Sequence, residues 1–121
     1  MSLWRPSKRI LSVSHDPWLM STRERLLKTF GYTVESTLSI EEAFRFAISR
    51  QYDIVLIGHT VTEYERHTLI PYLRAHNPCA QIIFLAAYNQ KDSEPLADMV
   101  TNSKPDELLK AIKEALRTST R

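Results

Sequence analysis

The chain has 121 residues, 43% of them hydrophobic and 25% charged, the proportions of an ordinary soluble domain, which excludes disordered, collagen-like and disulfide-scaffold classes. Sixteen Lys and Arg set against fourteen Asp and Glu leave a net charge of +2, scattered along the chain, so no nucleic-acid surface is expected. No apolar run approaches the ~20 residues of a membrane span, the start MSLWRPSKRI lacks the apolar stretch of a signal peptide, and the lone Cys79 cannot close an internal disulfide. One domain over residues 1–121 is expected, in a reducing, cytoplasmic compartment, with residues 1–8 loosely attached and Cys79 a loop or core filler.

Apolar runs alternate with helical patterns, the pattern of a parallel sheet with crossover helices on both faces. The first run is Ile10 to Val13. A helix follows Pro17, its stripe made by Leu19, Arg23, Leu26, Leu27 and Phe30, and Gly31 can take the left-handed conformation that ends it. A second strand covers Tyr32 to Val34. Ser39 and Glu42 then read as a capping box, with Ile40, Ala43, Phe44 and Ala47 as the buried stripe behind it. The runs Ile54 to Ile57 and Ile82 to Ala86 are apolar throughout, as befits central strands covered on both faces. Between them a third helix runs from near Tyr64 to His76, carrying Leu69, Ile70 and Leu73, and stops before Pro78. The stretch from Ala87 to Asp98 is polar and broken by Pro95, so it holds at most a short irregular helix. A weaker fifth strand lies around Met99 to Thr101, and a last helix starts at Pro105 with Leu108, Leu109, Ile112, Ala115 and Leu116 inward.

Seven segments in order resemble the receiver domain of bacterial response regulators. They are Ile10 to Pro17, Phe30 to Val34, Ser39 to Ala43, Tyr52 to Ile57, Ile82 to Leu85, the Lys104-Pro105 pair and Glu107 to Ile112. The resemblance implies a flavodoxin-like doubly wound five-stranded parallel sheet of order 2-1-3-4-5, here with a shortened or irregular fourth helix. It also implies a phosphorylation site at the carboxyl end of the sheet. An acidic pair there holds Mg²⁺, an aspartate accepts the phosphoryl group, and a hydroxyl and a lysine bind it.

In this chain the acceptor position is Gly58, the acidic pair falls on Ser14 and His15, and the hydroxyl position is Ala86. Asp16 stands one position late. Only Lys104 and Pro105 persist. Asp53 opens its strand about 16 Å from the functional end, so it reads as a strand-start residue. The expected function is a non-phosphorylatable receiver-like module that acts through a protein partner, without cofactor. The resemblance puts that contact on the last strand, the last helix and the abbreviated fourth-helix region, with a homodimer through the last strand and last helix as a further expectation. The alternative is a small-ligand or metal sensor built on His15 and His59. No glycine-rich phosphate loop and no converging Ser-His-Asp set is legible, so an enzyme is not expected. Trp18, near the helix start, and Trp4 are expected to fill the core, with the rim of an interaction surface as the alternative; His67 and His76 should face solvent, and Tyr88, Asn89 and Gln90 read equally as a loop or a partner surface.

Overall fold

The computed structural model describes residues 7–87 and 93–119. Five strands and four helices alternate: β1 Arg9–Val13, α1 Pro17–Thr29, β2 Thr33–Thr37, α2 Ile40–Ser49, β3 Ile54–Gly58, α3 Glu63–His76, β4 Gln81–Ala86, β5 Met99–Asn102 and α4 Pro105–Ser119. The strands form one parallel sheet of order β2-β1-β3-β4-β5. The two most apolar runs are therefore interior strands, as their composition requires, and β1 is interior as well.

Alternation along each strand divides the core between the two faces. Leu11, Val13, Val55, Ile57 and Ile82 point to the side covered by α2 and α3, with Ala43, Ala47, Leu69 and Leu73. Ile10, Ile54, Leu56, Ile83 and Leu85 point to the side of α1 and α4, with Leu27, Leu108, Ile112 and Ala115. The interior is thus apolar on both sides of the sheet, and chemistry is left to the strand ends.

Several local expectations are corrected. Phe30 is not part of the α1 stripe. It caps the helix as the chain turns through Gly31, at φ 91°, and its side chain is exposed while Tyr32 packs inward. Trp18 is 78% exposed at the start of α1, not in the core. Ser39 accepts from the Glu42 amide, but Glu42 turns to the Thr37 hydroxyl at 2.5 Å, and Thr37 Oγ1 accepts from the Ser39 amide. Of the two readings of Cys79 the loop is the one found: it lies exposed in the turn before β4.

The chain from 93 to 98 holds no helix and is clamped to α3 instead. Glu94 is buried; its carboxylate accepts from Arg66 Nε at 2.7 Å and the Leu96 amide at 3.0 Å, and meets His67 Nε2 at 3.0 Å. His67 is exposed, as expected from its place on α3, yet paired with Glu94; His76 is exposed as well and lies against the Tyr72 ring. Trp4, Tyr88, Asn89 and Gln90, and most of the segment expected to be loose at the N-terminus, lie outside the described residues. Among the described residues no helix is long and apolar enough to cross a membrane.

Candidate functional site

Parallel strands end together, so the sheet carries Ser14, His15, Gly58 and Ala86 to one edge. Open α/β sheets bind ligands at this carboxyl end. In this chain the polar groups at that end are bound to one another. Ser14 is fully buried; its hydroxyl accepts from the Asp16 amide at 3.0 Å and shares a hydrogen bond of 3.2 Å with Thr60 Oγ1. Thr60 Oγ1 also accepts from the His15 amide at 2.8 Å. Asp16 is the N-cap of α1, its carboxylate accepting from the Trp18 and Leu19 amides at 2.9 and 3.2 Å. A cap of this kind satisfies amides that the first helical turn leaves open.

His15 uses both ring nitrogens. Nδ1 lies 3.0 Å from the Leu38 carbonyl and Nε2 lies 2.8 Å from Glu65 Oε1. Two acceptors on one imidazole favour the doubly protonated ring. The Glu65 hydrogen bond accordingly raises the His15 pKa above the ordinary histidine value, against a smaller opposing effect of burial. Burial pushes the Glu65 carboxyl up, but the Thr62 amide and His15 outweigh it and hold it below the usual carboxylate range. Glu65 also closes a complete capping box with Thr62 at the start of α3. In this geometry both His15 ring nitrogens face protein acceptors, so neither is presented toward His59 for a shared metal. Among the described residues His59 Nδ1 is buried without a partner, and no group of three metal-ligating side chains occurs.

The strongest feature was not singled out from the sequence. Arg23, in the buried stripe of α1, is 3% exposed and sends its guanidinium to the end of β3. A Cβ placed on Gly58 would stand 3.0 Å from Arg23 Nη1 and 3.6 Å from Nη2. Nη2 donates to Ser103 Oγ at 2.9 Å, whereas Nε and Nη1 find no acceptor among the described residues. Burial pulls the guanidinium down to about 10, with Asp16 opposing. Its visible signal was an arginine standing in an otherwise apolar helical stripe. Ala86 is buried at the end of β4 opposite Asn102. Lys104 is exposed just before α4, its amide held by Asn102 Oδ1 at 2.9 Å. Asp53 is at the opposite end of β3, where it accepts from the Arg9 amide at 2.8 Å.

Comparison with solved structures decides the architecture. A CheY-like response regulator receiver domain protein from Methanospirillum hungatei JF-1 superposes with a TM-score of 0.83 over 94% of this chain and 97% of its own, at 22% identity. The chain has the receiver fold. Response regulator TrrA from Thermotoga maritima, solved with Mg²⁺ and BeF, is 27% identical, with a TM-score of 0.78 over 90% of this chain and 99% of its own. The signal receiver domain of an HD domain-containing protein from Pseudomonas fluorescens Pf-5 gives 0.79 over 94% and 98%, at 20% identity. No family model and no curated protein matches the sequence. In this fold Gly58 closes β3 at the carboxyl edge of the parallel sheet.

Proposed function

We propose that this chain is a receiver-type signalling module that takes no phosphoryl group and acts by binding a protein partner. The observation that carries the reading is the Arg23 guanidinium lying over Gly58. In a phosphorylated receiver an aspartate stands at this strand end, with Mg²⁺ bound beside it by two carboxylates. Here a cation fills the space in front of a residue with no side chain. Ser14 and His15 supply a hydroxyl and an imidazole where hard oxygen ligands would be needed, and both are engaged internally. Asp16 is tied to the α1 cap, and Ala86 has no hydroxyl.

The partner face in this reading is β5 with α4. Val100 is exposed on the edge strand, and Met99, Val100, Glu107, Lys110 and Glu114 line a groove of about 210 Å³ there. Acidic and basic side chains on one patch suit a polar interface with a signalling protein, an output domain or a second copy. The module would belong to a bacterial two-component or phosphorelay type of pathway, inside the cell.

The test is intact-mass spectrometry after incubation with acetyl phosphate and Mg²⁺. The proposal expects an unchanged mass for the wild-type chain. A phosphoryl adduct that is labile to hydroxylamine, as an acyl phosphate is, overturns it.

A further inference from the structure

Arg23 is the cation buried among the described residues, and it is only partly satisfied. A buried charge without compensation is costly, and proteins keep such groups where a ligand or partner completes them. Two edges of the planar guanidinium have different neighbours. Nη1 faces Gly58. Nε and Nη2 share the other edge, which is the fork that a carboxylate takes with two oxygens. On that edge Ser103 Oγ accepts from Nη2 at 2.9 Å, and Nε has no acceptor among the described residues.

Beside the guanidinium, between α1 and the start of α4, lies a cleft of about 330 Å³ lined by Arg23, Ser103, Thr22, Leu26, Pro105 and Leu108. Its walls are mainly apolar, and Arg23 with Ser103 supplies its polar end. A concave site of this size with apolar walls and one convergent cation matches the make-up of small-molecule sites. Arg25 also lines the cleft and adds positive potential for an approaching anion.

We propose that this cleft binds a small organic acid. Its carboxylate takes Nε and Nη2 of Arg23, displacing the Ser103 hydroxyl, and its apolar body packs on Leu26, Pro105 and Leu108. The apolar walls and the single fork favour a carboxylate over inorganic phosphate, whose higher charge and outward-facing oxygens would lie unpaired against Leu26 and Leu108. The cleft opens between α1 and the start of α4 and shares the Arg23 guanidinium with the strand end that carries Gly58.

The experiment is a ¹H–¹⁵N NMR titration of the whole chain that includes the arginine Nε–H signals, with benzoate as probe. Benzyl alcohol and inorganic phosphate serve as comparisons. Benzoate is expected to shift Arg23 Nε–H and the Ser103 and Leu108 amides in a saturable way, while the two comparison compounds produce no saturable shift at those signals. Arg23→Met is expected to weaken benzoate binding about tenfold or more. The proposal is overturned if Arg23 Nε–H does not move, if benzyl alcohol or phosphate binds as well as benzoate, or if Arg23→Met binds benzoate as tightly as wild type. The comparison between benzoate and benzyl alcohol needs no variant, so a folding defect cannot hide the answer.

Discussion

Replacing Arg23 by methionine should make the protein more stable. Burial pulls the guanidinium well below the range of an exposed arginine, to about 10, and a shift of that size corresponds to about 3 kcal/mol. The hydrogen bond to Ser103 offsets about 1 kcal/mol of this. Methionine keeps the unbranched stem among the α1 stripe and removes the charge, so a net gain of about 2 kcal/mol is expected. Urea unfolding followed by circular dichroism should show a higher midpoint with an unchanged slope. Because the folded pKa is depressed, the cost of burying the charge is fully present below about 10 and is relieved only above it. The gain should therefore be constant from about pH 6 to 9. A loss of stability greater than about 1 kcal/mol would refute the reasoning, since it would mean that Nε and Nη1 are satisfied in the folded protein.

Other consequences can be measured alongside. His15→Gln should cost about 0.5–1 kcal/mol where the ion pair exists, a small value because the His15 side chain is 36% exposed. The His15 pKa is raised, so its contribution is full below the ordinary histidine value and is lost as pH rises through the folded one; that of Glu65, whose pKa is lowered, is lost as pH falls. The difference between wild type and variant should thus peak near pH 5–6.5, and an imidazole that titrates below about 6.5 by NMR would contradict this. Asn77→Ala removes a buried side chain that accepts from the Tyr52 amide at 2.7 Å and donates to the Ala47 and Arg50 carbonyls, so about 2–4 kcal/mol should be lost in urea unfolding. Glu94→Gln should cost about 3 kcal/mol by uncoupling Arg66 and His67, and should speed hydrogen exchange at the Leu96 amide; unchanged exchange would show that the clamp does not hold this segment.

The architecture was legible because strand burial writes itself into the sequence. A run such as Ile54 to Ile57 has no polar face, which is possible only with helices on both sides of it. The strand-end residues Ser14, His15, Gly58 and Ala86 were equally legible, since the end of an apolar run marks where a parallel sheet opens. Their partners were not. A capping aspartate and a metal-binding aspartate look alike in sequence, and only the amides of Trp18 and Leu19 assign Asp16 to the cap. The two S/T-x-x-E patterns, at Ser39 and Thr62, are indistinguishable by spacing. Thr37 lies within reach of Glu42 and breaks the first box, while the second forms complete. The guanidinium over Gly58 depends on a contact between α1 and β3, for which local periodicity carries no information. Phe30 fitted the α1 stripe by spacing and proved to sit where the helix has ended, and Trp18, expected to fill the core, is exposed where the helix begins.

The central claim, that the strand-end pocket has exchanged its acceptor for an internal cation, is tested most directly by ¹H–¹⁵N NMR of the wild-type chain with Mg²⁺ and beryllofluoride, which mimics the acyl phosphate. The structure predicts that the amides of Gly58, Ala86 and Lys104 keep their positions at all concentrations, because Arg23 Nη1 stands where the adduct would form. A second, slowly exchanging set of signals for these residues would contradict the account.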